Sequence, residues 1–134
     1  MTKLTTIEGI GPAYAKTMKE SGINTVDVLL NAGSTKKGRQ QIAEKTGLAE
    51  KVILRWVNYA DLFRIKGVAG EYAELLEAAG VDTVPELAQR NPANLREKMM
   101  TVNNEKKLVR QLPSESSVGR WVVQAKTLPR VINY

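Results

Sequence analysis

Cysteine and histidine are both missing from the 134 residues. The first absence excludes disulfides, thiolate nucleophiles and the usual structural zinc site. The second removes the commonest metal ligand and the side chain that ordinarily titrates near neutrality. Most familiar catalytic constellations are therefore closed to this chain, and no catalytic residue, metal ligand or cofactor is expected. Aromatic residues are scarce, with two Trp, four Tyr and one Phe, too few for a stacking platform that grips single strands. No apolar run approaches the ~18 residues of a membrane span. The opening residues, Met1-Thr2-Lys3-Leu4-Thr5, have no apolar signal core, so a cytoplasmic protein without membrane contact is expected.

What is present is a globular composition, 43% hydrophobic and 25% charged, suited to one compact domain or two very small ones. Twenty basic residues against fourteen acidic ones give a net charge of +6, which favours contact with a polyanion. The excess is greater in the first half: Met1 to Arg64 holds ten basic and six acidic residues, and Ile65 to Tyr134 ten and eight.

An internal repeat organises the chain. At an offset of 58 positions Ile7-Glu8-Gly9-Ile10 aligns with Ile65-Lys66-Gly67-Val68, and Tyr14, Ala15, Met18, Gly22, Ile23, Thr25, Val26 and Leu29 meet Tyr72, Ala73, Leu76, Gly80, Val81, Thr83, Val84 and Leu87. Further on the offset grows to 65, where Arg55-Trp56-Val57 meets Arg120-Trp121-Val122. About seven residues are thus inserted near Asn103 to Val109, at little cost in loop entropy. The expected units are 1–64 and 65–134.

Apolar spacing within each copy is helical, without the alternation of half-buried strands. Pro12 suits a first helical turn, and Gly22 supplies a stop. Thr25 is placed to cap a short helix through Asn31. A helix near Thr35 to Lys45 follows, and after Thr46-Gly47-Leu48 comes the longest, near Ala49 to Arg64, with Val52, Ile53, Trp56, Tyr59, Ala60 and Phe63 as its apolar stripe. In the second copy Thr83 or Asp82 caps ahead of Pro85, Asn91-Pro92 opens a helix, and Leu112-Pro113-Ser114 is a loop before the Trp121 helix. The run Val118 to Val123 is β-branched, but its alignment with the first copy assigns it to helix. The expected fold is all-α, with about four to five short helices per copy.

The pair Gly9 and Gly11 carries the sharpest chemical meaning. Glycine takes positive φ without a Cβ clash, so these two allow an abrupt hairpin with backbone amides turned outward. At a helix N-terminus such amides favour an anion, and Lys16 and Lys19, on the next turns, add charge to the same track. The same glycines also suit a tight turn between packed helices. A dinucleotide fingerprint or P-loop is not met, since the preceding strand, the third glycine and the Gly-Lys-Ser/Thr sequence are all missing.

The run Ile7-Glu8-Gly9-Ile10-Gly11-Pro12-Ala13-Tyr14-Ala15 resembles the helix-hairpin-helix motif of DNA repair, recombination and transcription proteins. That resemblance implies hairpin amides that hold the nucleic-acid backbone without reading sequence. With "IAEKTGLAEKVILRWVNYADL" and "GVAGEYAELLEAAGVDTVPELA", the whole chain also resembles a bacterial family of tandem helix-hairpin-helix proteins classed as a domain of unknown function. The second copy departs from the pattern: Gly11, Lys16 and Lys19 become Ala69, Glu74 and Glu77. Glu71, Glu74 and Glu77 on one helix repel phosphate, so that hairpin is expected to be structural or to dock a protein, although Lys66 beside Gly67 and Val68 keeps a second phosphate site open.

A second basic group, Lys36, Lys37 and Arg39, stands at a helix start, where positive charge opposes the dipole and an external anion relieves the conflict. Lys45, Lys51 and Arg55 extend it, and Gln41 to Val57 faintly resembles a helix-turn-helix. Trp56 and Trp121, at matching places on amphipathic helices, are expected in the core. The functional expectation is sequence-nonspecific binding of nucleic acid, duplex DNA first, through Gly9, Ile10 and Gly11 with Lys16, Lys19, Lys36, Lys37 and Arg39. The competing expectation is a protein-interaction module that uses Glu71, Glu74 and Glu77.

Overall fold

The computed structural model describes residues 2–68 and 70–134. Among them are eight α-helices and no strand, beyond one isolated antiparallel bridge between Lys3 and Thr25. The helical periodicity is thus realised as helix, the β-branched run Val118 to Val123 included. No described helix is long and apolar enough to cross a membrane. The chain forms two compact units, Met1–Asp61 with Val131–Tyr134, and Leu62–Arg130.

In the first unit a 3-10 turn at Leu4–Thr6 precedes α1 (Pro12–Glu20), α2 (Val26–Ala32), α3 (Lys36–Thr46) and α4 (Glu50–Leu62). Local chemistry sets most of these boundaries. Pro12 lies in the first turn of α1, where its missing N–H costs nothing. The helix ends on Gly22 at φ 86°, with Ile23 N–H donating to Met18 O at 2.9 Å and Gly22 N–H to Lys19 O at 3.0 Å. That pair of bonds is the Schellman closure, and the buried Ile23 and Met18 supply its apolar contact. Thr25 caps α2 by accepting from Val28 N–H at 3.2 Å, and Thr35 caps α3 by accepting from Gly38 N–H at 3.0 Å. Ile53, Trp56, Val57, Tyr59 and Ala60 form the buried stripe of α4, whereas Val52 and Phe63 are half-buried at its margins.

The second unit holds α5 (Glu71–Ala78), α6 (Val84–Ala88), α7 (Pro92–Lys106) and α8 (Glu115–Thr127). Here α6 and α7 pack on α8, and α5 packs on α7. Asn91 caps α7 by accepting from Asn94 N–H at 3.1 Å, and Ser114 caps α8 by accepting from Ser117 N–H at 3.1 Å. Asn103 then clamps the loop after α7 twice, accepting from Val109 N–H at 2.9 Å and donating to Val109 O at 3.2 Å. The expected cap at Thr83 takes another form. Its hydroxyl donates to Glu86 Oε1 at 3.2 Å, and Asp82 N–H to Glu86 Oε2 at 3.4 Å, so the glutamate three residues on occupies the cap oxygen.

Several residues 58 apart have matching backbone conformation and burial in the two units. Gly67 (φ 99°) matches Gly9 (φ 94°), and Gly80 (φ 94°) matches Gly22. The α5 end repeats the closure of α1, with Val81 N–H donating to Leu76 O at 2.8 Å and Gly80 N–H to Glu77 O at 3.0 Å. Ile7, Ile10, Met18, Ile23, Val26 and Leu29 are buried, and so are Ile65, Val68, Leu76, Val81, Val84 and Leu87.

Candidate nucleic-acid interface

The turn from Ile7 to Gly11 is built from the inside. Ile7 and Ile10 are buried, and Ile10 N–H donates to Ile7 O at 3.1 Å, which closes the turn around Gly9. The left-handed Gly9 lies against the indole of Trp56, whose Nε1 is 3.4 Å from the position a Cβ would take. Tyr14, one turn into α1, tilts on the same indole with ring centroids 5.4 Å apart and the rings at 58°. Trp56 therefore braces the turn from the core, where its place on an amphipathic helix put it.

Gly11 is the cap of α1, in extended backbone, and offers no side-chain oxygen to the first turn. The Gly11 amide, like those of Ala13 and Tyr14, has no hydrogen-bond partner among the described residues, and Ala15 N–H makes the first bond of the helix, to Gly11 O at 2.9 Å. Nothing lies within 4 Å of a Cβ built on Gly11, and Gly11, Ala13 and Tyr14 are exposed, so no side chain at Gly11 covers this helix start. Beside them a depression of about 380 Å³ is lined by Lys3, Lys16 and Lys19, with Pro12, Ala15 and Asn24. The three lysines are exposed and no carboxylate lines the depression.

Lys3 was not among the residues the sequence singles out. It reaches this place through tertiary pairing: Val26 N–H donates to Thr2 O at 3.0 Å, and Lys3 bridges Thr25. No local spacing announces such a contact. Ile10, conversely, lends the site no donor, because its amide is spent inside the turn.

The basic group at the start of α3 is divided. Lys36 and Lys37 are exposed, but Lys37 lines a separate depression with Glu44 and Glu50, which offset its charge. Thr35 has already placed an oxygen on the helix start. Arg39 is only 5% exposed, and its guanidinium donates to Gly33 O at 2.8 Å and Asn133 O at 3.0 Å. Tyr134 lies over it with the ring centroid 5.7 Å away. The expectation that Arg39 faces a nucleic acid is therefore replaced: periodicity cannot show that its donors are taken by carbonyls from distant segments.

In the second unit, Gly67 sits on Trp121 as Gly9 sits on Trp56, and Tyr72 tilts on that indole at 5.6 Å and 52°. The amides differ in availability. Lys66 N–H donates to Gln124 Oε1 at 2.9 Å, and Val68 N–H to Ile65 O at 3.1 Å, so neither points to an external phosphate. Ala69, which stands where the first copy has Gly11, lies outside the described residues. On α5, Glu71 is exposed, whereas Glu74 and Glu77 are half-buried and engaged within the protein.

Eight helices in two small units, with a positive-φ glycine braced on a tryptophan in each, define an all-α protein. The chain belongs to the family described as Domain of unknown function (DUF4332), which matches residues 8–128. No curated protein and no solved structure matches it.

Proposed function

We propose that the chain is a tandem helix-hairpin-helix protein of the bacterial cytoplasm that binds nucleic acid, chiefly duplex DNA, without reading sequence. The observation that carries this reading is the juxtaposition in the first unit of the open amides of Gly11, Ala13 and Tyr14 with the carboxylate-free depression of Lys3, Lys16 and Lys19. Outward amides at a helix start hold phosphate oxygens, and unpaired lysines release counterions from the duplex. Both act on the backbone alone, so no base preference follows. The 58-residue correspondence of glycines, closures and buried positions supports the tandem organisation, with the second hairpin kept as a packing unit.

Fluorescence anisotropy on a labelled duplex tests this. One hairpin is expected to bind with a Kd on the order of 10⁻⁴ to 10⁻⁶ M at physiological salt, and three lysines give a log–log salt slope of roughly −2 to −3. Lys16→Glu/Lys19→Glu should abolish binding at all salts, and Lys3→Gln should reduce the slope by about 1. Binding that survives the double reversal removes the proposed site. Protein docking through α5 is the second reading, and it rests on Glu71 alone among the three glutamates for an exposed charge.

A further inference from the structure

A cavity in the second unit is lined entirely by residues of that unit. Its volume is about 660 Å³, inside the ~300–1,000 Å³ range of small-molecule sites. One wall is cationic. Lys66 and Arg120 line it, no carboxylate does, and neither cation has an acidic partner among the described residues. Arg120 is held in place by one bond, from its NH2 to Ser117 Oγ at 3.1 Å in the first turns of α8, which leaves its other donors open.

Trp121 lines the same wall and is only 4% exposed. Its Nε1 lies beside the bare Cα of Gly67, 3.0 Å from the position a Cβ would take. That N–H has no hydrogen-bond partner among the described residues. No described side-chain nitrogen is both sealed from solvent and unpartnered, so the indole nitrogen keeps some exposed surface, on a residue that lines the cavity. A tryptophan this deeply buried ordinarily finds an acceptor for its one donor, and here the cavity is where an acceptor can stand. Gly67 is what permits the approach, since any side chain there would cover the indole nitrogen. Tyr72, packed on the Trp121 indole, and Pro113 add apolar surface to the lining, with Tyr72 fixed by its hydroxyl bond to Gln111 O at 3.1 Å.

We propose that this cavity is a binding site for a small molecule that carries a phosphoryl group, held by Lys66, Arg120 and the Trp121 indole N–H, with its body against Tyr72 and Pro113. A dianionic phosphoryl group balances the two cations and presents several acceptor oxygens, so it also satisfies the indole donor. The volume exceeds what phosphate alone needs, which makes room for the body. This site shares no residue with the proposed DNA site of the first unit and stands or falls separately.

The test is titration of the ¹⁵N-labelled full chain with inorganic phosphate, AMP and adenosine at constant ionic strength, following the assigned Trp121 indole N–H resonance. Phosphate and AMP should shift it saturably, AMP at least threefold more tightly, and adenosine should leave it in place. Lys66→Gln and Arg120→Gln alter exposed side chains, so the fold is retained, and each should weaken phosphate binding at least tenfold. Lys16→Glu/Lys19→Glu should leave the Trp121 shift unchanged, which separates this site from the hairpin. The proposal is overturned if Trp121 does not move with phosphate or AMP up to 20 mM, on the order expected for a single weak anion contact. A shift that persists in the Lys66→Gln/Arg120→Gln double variant, or that adenosine reproduces, overturns it equally.

Discussion

Asp82 shows how one residue departs from its counterpart across the two units. Its carboxyl is pushed above the ordinary value of 3.8, first by burial and then by the negative charges of Glu86 and Glu77. A raised carboxyl pKa means that the folded state holds the proton more tightly than the unfolded chain. The resulting penalty is absent at pH below 3.8, grows as pH rises through the folded pKa, and is complete at neutrality. Asp82→Asn should therefore raise the melting temperature at pH 7 by about 1–3 °C and make little difference at pH about 3, as read by thermal denaturation at both values. The cap at Thr25 and the helix start at Asn91 were legible in sequence, because a cap oxygen serves an amide only two or three residues away, whereas Thr35, read as part of its helix, and Ser114, read as loop, in fact cap α3 and α8. Thr83 stands at the expected start of α6, but its hydroxyl donates to Glu86 rather than accepting from the first turn.

At the scale of elements, the connection of α2 to α3 depends on backbone approach rather than on side-chain filling. A Cβ on Gly38 would collide with the carbonyl oxygen of Ala32 and approach Thr35 Oγ1 at 3.2 Å. A Cβ on Gly33 would collide with a methyl of Val57. Gly38→Ala separates two effects of opposite sign. In an isolated helix the change is favourable by about 1 kcal/mol, whereas overpacking against an immovable carbonyl costs roughly 1–3 kcal/mol. Urea denaturation should show a net destabilisation of up to about 2 kcal/mol, and a stabilised variant would mean that the two helices can part without loss. Sequence reading located both helices and the cap of α2, yet it attached no importance to Gly38, because nothing in the run Lys36-Lys37-Gly38-Arg39 reports how closely α2 returns.

For the whole molecule, the last four residues are decisive for the first unit. Asn133 N–H donates to Ser34 O at 2.7 Å, Ile132 is buried, and Tyr134 Oη donates to Asn58 Oδ1 at 3.0 Å. Arg39 ties this strand of chain to Gly33 through its two carbonyl bonds. Arg39→Met keeps the apolar stem but leaves both carbonyls without their charged donor, at a cost of about 2–3 kcal/mol. Hydrogen exchange should then quicken at Asn133 and through α3, and an unchanged pattern would show that the tail is held without Arg39, by the Asn133–Ser34 bond, Ile132 and Tyr134.

The sequence by itself determined the helical class, the order of the helices and the buried status of both tryptophans, because glycine stops and 3.6-residue spacing act within a few residues. Lys16 and Lys19, one turn apart on α1, line one depression for the same local reason. Only the tertiary structure decided which charges share a surface. Lys3 joins the first depression by pairing with Thr25, Arg39 leaves the surface for carbonyls of Gly33 and Asn133, and Lys66 meets Arg120 and the Trp121 indole around one cavity. Those outcomes depend on contacts between residues far apart in sequence, and a charge carries no mark along the chain of the partner it will meet.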